Sequence, residues 1–256
     1  MLILSPQGLY CPAGNFHIDP KGAVENAVVT HAHSDHARRG AKQYYCTTTG
    51  LSLLKARLGK QIQVKDFGYG ESFSLGPVRI SFHSAGHILG SSQVRMEYNG
   101  EVWVASGDYK REFDPTCEPF ESVPCDVFVT EATFGTPGYT WPKKKDLGRE
   151  IADWWDRNAA RGVNSVLFAY SLGKAQRVLG LLEPYALKPI YTHSVTSAIT
   201  DCYRREGITL AETKCLSELT QGARLEGELL LVPQSFLKSD QAEILGENFE
   251  TAFASG

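Results

Sequence analysis

The chain has 256 residues, of which 42% are hydrophobic and 21% charged, with a formal net charge of −3 at pH 7. This composition excludes a disordered chain, and the small net charge argues against simple coating of nucleic acid by a basic surface. No apolar run approaches the roughly 20 residues of a membrane helix, and the first residues lack the basic n-region that is typical of a signal peptide. A cytoplasmic protein without membrane contact is therefore expected. Its six scattered cysteines are expected to be free thiols.

The first 135 residues read as short strands separated by turns. Strands are predicted at residues 26–30, 78–82, 93–98, 101–105 and 126–130. Asn99 and Gly100 predict a hairpin turn between the third and fourth of these strands. Polar residues repeatedly follow the strand ends, where loops can converge on a binding site.

After Pro137 the pattern changes to alternating strands and helices. A helix is predicted over residues 143–161, with Leu147, Ile151, Trp154 and Trp155 on its buried face. Two strand-and-helix units follow, at 165–170 with 174–185 and at 189–192 with 197–206, and a further strand lies at 229–233. This alternation favours a small parallel α/β unit.

The run Thr-His-Ala-His-Ser-Asp-His contains four ligand-type side chains, His31, His33, Asp35 and His36. In an extended loop, residues two apart point the same way, so His31 and His33 can hold one cation together. Asp35 and His36 can then turn toward a second cation. Imidazoles with carboxylates suit Zn²⁺, with Mn²⁺ or Fe²⁺ as alternatives. Without a cation, such crowded side chains would repel one another or lack partners, so the run favours a metal centre.

Two further candidate ligands follow later strands, each in a glycine-containing loop. They are His87 in Ala-Gly-His-Ile-Leu-Gly and Asp108 in Ser-Gly-Asp-Tyr. Asp108 could bridge two ions, because a carboxylate has two oxygens. Asp19 either braces a ligand histidine or opens a turn before the next proline. The remaining histidines, His17, His83 and His193, are expected to be ordinary hydrogen-bonded or surface residues.

With these residues, the sequence resembles the β-CASP branch of the metallo-β-lactamase superfamily. It is most similar to the bacterial ligase-associated DNA exonucleases, which are relatives of the Artemis-type nucleases. The histidine run alone marks only the superfamily, which includes glyoxalase II and the lactamases. The resemblance extends along the whole chain through residues 10–14, 31–36, 85–91, 106–110, 130–135 and 171–177.

The resemblance implies an α/β fold with two parts. An αββα metallo-β-lactamase sandwich would occupy residues 1–162, and a β-CASP α/β insert that closes over the active site would occupy residues 163–256. Family members then return from the insert to complete the first domain. That return carries a proton-donating histidine and a last metal-site motif. The chain reads as truncated before this return, so an incomplete second metal site is expected.

The resemblance also implies roles for individual residues. The first metal would be held by His31, His33, His87 and Asp108, and the second by Asp35, His36 and Asp108. Asp35 would also orient the attacking water, and Glu131 would orient a proton donor. Candidate phosphate contacts are Lys174 and Arg177 on a helix of the insert, together with Lys110. Ordinary solvated positions are the alternative for these cations.

Other side chains give weaker support for nucleic-acid binding. The further basic residues near the expected cleft are Arg38, Arg39, Arg111 and Lys143, Lys144 and Lys145. Their alternative role is solubility. Tyr109, Tyr139 and Trp141 could stack on unpaired bases or pack in the core.

The expected function is a divalent-metal-dependent phosphodiesterase that hydrolyses DNA through a metal-activated water. The resemblance favours an exonuclease of DNA repair acting on single strands or duplex ends, with an ATP-dependent DNA ligase and a helicase as partners. Three alternatives remain open. They are an RNA-processing ribonuclease of the same fold, a scaffold subunit or impaired fragment, and a small-ester hydrolase, against which the strand-and-helix units after residue 162 argue.

Overall fold

A computed structural model describes residues 1–139, 146–220 and 222–254. It has the α/β fold class that the sequence predicts and divides into two compact units, Met1–Thr140 and Trp141–Gly256. The division between the two compact units falls near residue 140, because the helix Leu147–Ala159 packs on the strand Asn164–Phe168 and the helix Lys174–Leu182. The domain limits 1–162 and 163–256 stay a prediction. None of the helices in the described ranges is long and apolar enough to cross a membrane.

The first unit contains two β-sheets and one helix in its described residues. The first sheet has the order β1-β2-β3-β4-β5-β6, and the second has the order β11-β10-β9-β8-β7. The elements are β1 (Ile3–Ser5), β2 (Gly8–Cys11), β3 (Phe16–Ile18), β4 (Val24–Val28), β5 (Ala41–Thr47), α1 (Leu51–Leu58), β6 (Val64–Phe67), β7 (Ser72–Leu75), β8 (Val78–Ser84), β9 (Ser92–Tyr98), β10 (Glu101–Ala105) and β11 (Val127–Val129).

The two sheets pack face to face around a shared core. Alternate residues of each strand point inward, so that Phe16 and Val28 of the first sheet join Ile80 and Met96 of the second in one buried cluster. The other face of the first sheet is covered by α1, through Leu54 and other apolar residues. In an αββα sandwich, each of the two sheets is covered by a layer of helices. Because α1 is the only helix in the described residues of this unit, these residues contain both sheets and one of the two helical layers.

The second unit is built on a parallel sheet with the order β14-β13-β15-β12-β16. Its strands and helices are α2 (Leu147–Ala159), β12 (Asn164–Phe168), α3 (Lys174–Leu182), β13 (Ile190–Thr192), α4 (Ser194–Arg205), β14 (Thr213–Cys215), β15 (Leu229–Val232) and β16 (Phe249–Phe253). Short 3-10 helices occupy Leu216–Glu218, Gln234–Lys238 and Asp240–Leu245. The parallel α/β pattern agrees with the sequence-based expectation.

The buried face of α2 includes Trp155, as predicted, but not Leu147. Leu147 is exposed, whereas the buried residues of the helix are Gly148, Ala152, Trp155 and Asn158. The reason is a close approach to α3, because a Cβ atom on Gly148 would lie 2.1 Å from the carbonyl oxygen of Leu181. Lys143, Lys144 and Lys145 lie outside the described residues.

Candidate metal centre

The predicted site residues lie in loops that follow strands of both sheets. The histidine run follows β4, and residues 34–36 form a turn in which the Ala37 amide donates to the His33 carbonyl at 2.8 Å. His87 lies in the loop between β8 and β9, and Asp108 follows β10. Three separate loops therefore supply the candidate ligands within the first unit.

Four of these side chains bring their donor atoms together. The Nδ1 atom of His33 lies 3.0 Å from Nε2 of His31 and 3.2 Å from Nε2 of His87. Oδ2 of Asp108 lies 3.8 Å from Nε2 of each of His31 and His87. One donor atom from each of the four residues lies within 4.8 Å of all the others, and the group could hold a metal ion.

The spacing and chemistry of the four donors fit a divalent cation. Ligand atoms about 2.0–2.1 Å from a tetrahedrally coordinated Zn²⁺ lie about 3.3–3.4 Å apart. The nitrogen–nitrogen distances of 3.0 and 3.2 Å and the nitrogen–oxygen distances of 3.8 Å fall on either side of that value. Three imidazoles and one carboxylate are also a donor set that zinc commonly uses.

His36 and Asp35 form a second group beside the first. Nε2 of His36 lies 3.3 Å from Oδ1 of Asp108 and 3.7 Å from Oδ2 of Asp35. Asp108 thus presents one oxygen to His31 and His87 and the other to His36. The Asp35 side chain is 70% exposed, so this second group is the more open of the two.

Asp19 braces the histidine run. Its carboxylate accepts hydrogen bonds from the Thr30 amide at 2.8 Å, the Thr30 hydroxyl at 2.6 Å and Nδ1 of His36 at 2.8 Å. Asp19 has φ +44°, a left-handed conformation that is rare outside glycine. Of the two roles that the sequence left open for Asp19, the structure thus shows the brace, and the donation by Nδ1 leaves Nε2 of His36 facing Asp108.

The protonation of His31 and His87 suits cation binding, whereas His36 keeps a proton at neutral pH that a cation would have to displace. Burial lowers the pKa of His87 to about 4, and burial together with the neighbouring histidines holds the pKa of His31 well below its usual 6.5. Both imidazoles are therefore unprotonated at neutral pH, as metal ligands must be. Burial also disfavours the charged form of His36, but hydrogen bonds to Asp108 and Asp19 outweigh it and raise the pKa to about 10.

Glu131 lies next to this cluster at the end of β11. Its amide donates to the Ser106 hydroxyl at 3.3 Å, and its Oε2 atom accepts from the Thr133 amide at 2.7 Å. Although burial dominates the pKa of His87, the negative charge of Glu131 acts on it in the opposite direction. The Glu131 carboxylate is thus held in a fixed turn within electrostatic reach of a candidate ligand.

The predicted phosphate contacts are placed differently from one another. Nζ of Lys110 lies 3.2 Å from Oδ2 of Asp114, and its side chain is only 18% exposed. Its charge is paired inside its own loop, and its role as a phosphate contact stays a prediction. Lys174 and Arg177 lie three residues apart on α3, on one partly exposed face of that helix in the second unit.

The histidines outside the run have ordinary structural roles. His17 stacks on Tyr10, with ring centroids 4.5 Å apart. His83 lies between the Ser81 hydroxyl at 3.0 Å and the Glu121 carboxylate at 2.9 Å. His193 caps the N-terminus of α4.

The candidate stacking residues divide into packed and exposed positions. Tyr109 contacts Phe120 and Phe128, with ring centroids 5.5 and 6.3 Å away, so it takes part in side-chain packing. Tyr139 is 52% exposed and touches Phe134 edge to face. Trp141 lies outside the described residues.

Several residues that shape the site were not singled out from the sequence. The Ser91 hydroxyl accepts hydrogen bonds from the amides of His87 and Ile88, at 3.0 and 3.1 Å, and so shapes the His87 loop. Thr30 joins the His31 loop to Asp19. The signal that could have revealed Thr30 is a polar residue between a buried strand and a ligand histidine.

Comparisons with known proteins find relatives of this chain, although no family model matches it. A "Probable DNA ligase" of Opitutus terrae is 33% identical over 205 residues, which are 78% of this chain and 20% of that protein. An "RNase J-like protein" of Methanocaldococcus jannaschii is 28% identical, over 68% of this chain and 48% of that protein. A "Transcription termination factor FttA" of Methanosarcina mazei is 29% identical, over 68% of this chain and 32% of that protein.

The chain spans from a fifth to about half of the length of these curated relatives. The similarity nevertheless covers two thirds or more of this chain in each comparison. Taken with the His and Asp cluster, these relatives show that the chain belongs to the β-CASP branch of the metallo-β-lactamase superfamily.

Proposed function

We propose that this chain is the catalytic part of a metal-dependent nuclease that hydrolyses phosphodiester bonds in DNA. The observation that carries the proposal is the convergence of His31, His33, His87 and Asp108 from three loops, with all four donor atoms within 4.8 Å of one another. Nucleic acid as the substrate class is supported by relatives whose names describe ribonucleases or a DNA ligase.

The four convergent residues would hold the first ion, and Asp35, His36 and Asp108 would hold a second. The imidazole-rich donor set favours Zn²⁺, with Mn²⁺ as the alternative. Such ions would lower the pKa of a bound water, so that hydroxide is available at neutral pH, and would stabilise negative charge on the phosphate oxygens.

Two carboxylates of the chain have proposed roles in moving protons. The exposed Asp35 side chain lies on the open side of the site, where it can orient the attacking water. Glu131, fixed by the Thr133 amide, would orient a proton donor toward the leaving oxygen. Lys174 and Arg177 would contact the phosphate backbone without reading its sequence, as an exonuclease requires.

DNA is the proposed substrate because the relative with 33% identity is named as a DNA ligase. That name also supports our proposal that the protein acts in DNA repair with an ATP-dependent ligase, and a helicase is a further proposed partner. RNA is the second candidate, favoured by relatives at 28% identity that are named as an RNase J-like protein and as a ribonuclease of Thermus thermophilus.

The decisive experiment measures bound metal and nuclease activity for the wild type and Asp108→Asn. The substrates are end-labelled single-stranded DNA, duplex DNA and RNA of one sequence. Since residues that merely support a ligand contribute about 10–100-fold to metal affinity or activity, loss of a shared ligand should cost roughly 100-fold or more.

The matched control is Asp153→Asn on α2, whose side chain is 52% exposed. It carries the same chemical change on the second unit and should retain wild-type activity. Full activity in Asp108→Asn would contradict the metal-dependent mechanism. Degradation of RNA with sparing of DNA would instead leave the mechanism intact and overturn the proposed substrate.

A further inference from the structure

Thr30 lies at the point where the loops of the candidate metal centre meet. It directly precedes His31, is 1% exposed, and has a partner for each of its polar atoms. Its amide donates to Oδ1 of Asp19 at 2.8 Å. Its carbonyl oxygen accepts from the amide and the hydroxyl of Ser92, at 2.9 and 3.1 Å. Its hydroxyl contacts Oδ2 of Asp19 at 2.6 Å and Nδ1 of His31 at 3.0 Å.

The direction of these hydrogen bonds determines which nitrogen of His31 carries the proton. An ionised carboxylate only accepts, so the single hydroxyl proton of Thr30 is donated to Asp19. The Thr30 oxygen must then accept from Nδ1 of His31, which places the imidazole proton on Nδ1. The lone pair of Nε2 is left available, and Nε2 is the atom that lies 3.0 Å from Nδ1 of His33.

The same residue also fixes the Asp108 and His87 loops. Gly107 precedes Asp108 and adopts φ +55°, and a Cβ atom added to it would lie 2.7 Å from Cβ of Thr30. The backbone that presents Asp108 therefore passes directly against the Thr30 side chain. Ser92, which donates twice to the Thr30 carbonyl, begins β9 at the end of the His87 loop.

We propose that Thr30 is a positioning residue that holds His31 in its metal-binding tautomer and locks the three ligand loops to one another. The inference rests on the proposed function, because it assumes that His31 is a ligand. It adds a carboxylate–hydroxyl–imidazole relay, from Asp19 through Thr30 to His31, to the residues that contact the cation directly. Partners of this kind orient a ligand and raise its affinity for the metal.

The test compares Thr30→Val with Thr30→Ser in the full chain. Valine keeps the β-branched shape and removes the hydroxyl, whereas serine keeps the hydroxyl and removes the methyl group. Zn²⁺ affinity is measured by competition with a chromophoric chelator, and nitrogen chemical shifts of the imidazoles report the tautomer of His31. We expect Thr30→Val to weaken Zn²⁺ binding about 10–100-fold and Thr30→Ser to stay close to the wild type.

Each outcome of this test bears on one claim. Wild-type affinity in Thr30→Val, or equal losses in the two variants, would overturn the relay. A wild-type His31 with its proton on Nε2 in the metal-free protein would also overturn it, and this measurement does not depend on the folding of a variant. A wild-type chain that binds no Zn²⁺, Mn²⁺ or Fe²⁺ would instead overturn the proposed metal centre itself.

Discussion

Gly107 shows how a single residue without a side chain controls the position of Asp108. Its φ of +55° alone would strain an L-residue by about 1–2 kcal/mol. A Cβ atom at this position would also overlap the Thr30 side chain at 2.7 Å. We expect Gly107→Ala to destabilise the protein by about 1–3 kcal/mol beyond the backbone strain, because the overlap forces the loops apart. The affinity for Zn²⁺ should fall together with the stability, because these loops carry the candidate ligands.

Gly100→Ala is the matched control for this prediction. Gly100 has a similar backbone conformation, with φ +79°, but nothing lies within 4 Å of an added Cβ atom. Chemical denaturation of both variants separates the strain that they share from the contact that only Gly107 makes. Equal losses of unfolding free energy in the two variants would show that the contact with Thr30 has no energetic weight.

The sequence was most informative where single side chains carry the chemistry. His31, His33 and Asp108 are recognisable because few other roles explain such residues at strand ends. The role of Thr30 could not be predicted in the same way, since its partners Asp19 and Ser92 lie 11 and 62 residues away in the chain. Nor could the pairing of Lys110 with Asp114, which depends on how one loop folds back on itself.

At the scale of elements, the sequence predicted best the features that neighbouring residues determine, and less well those that depend on contacts between residues far apart in the chain. The turn at Asn99 and Gly100 was predicted and forms with φ +53° and +79°, because two adjacent residues determine it. Several strands, among them β1, β5, β14 and β16, were not predicted, since they are short or lack a clear apolar alternation. The predicted buried face of α2 was right for Trp155 and wrong for Leu147, because a close contact with α3 turns Gly148 inward instead.

The N-terminus of α2 provides a prediction about pH. Asp146 accepts hydrogen bonds from the Tyr185 hydroxyl at 2.5 Å and the Arg149 amide at 3.0 Å, and these lower the pKa of its carboxyl. A carboxyl whose pKa is lower in the folded state stabilises the fold above its unfolded pKa. That stabilisation disappears as the pH falls through the folded value.

We therefore expect Asp146→Ala to lower the melting temperature at pH 7, and the difference from the wild type to shrink below about pH 4. Thermal unfolding followed by circular dichroism across this range measures the effect. Asp153→Ala, on the exposed surface of the same helix, should show a smaller change. A difference that grows as the pH falls would contradict the sign of the prediction.

At the scale of the whole molecule, the sequence predicted a two-part α/β organisation, and the contacts within each part determine where one ends. The candidate ligands all lie in the first unit, whereas Lys174 and Arg177 lie in the second. The domain limits of 1–162 and 163–256 remain predictions about the family's two domains. The compact units of this chain meet near residue 140, because α2 belongs with the parallel sheet.

This division predicts which parts of the chain should open more often when a bound metal is removed. Ligand binding stabilises the folded state most strongly where it joins loops that would otherwise open locally. Treating the Zn²⁺-loaded protein with a chelator should speed amide hydrogen exchange at residues 30–36, 85–92 and 106–110, which carry the ligands and Thr30. The β12 and α3 region, at residues 164–182, should keep its protection. Hydrogen exchange with mass spectrometry distinguishes these regions, and faster exchange confined to residues 164–182 would place the cation in the second unit instead.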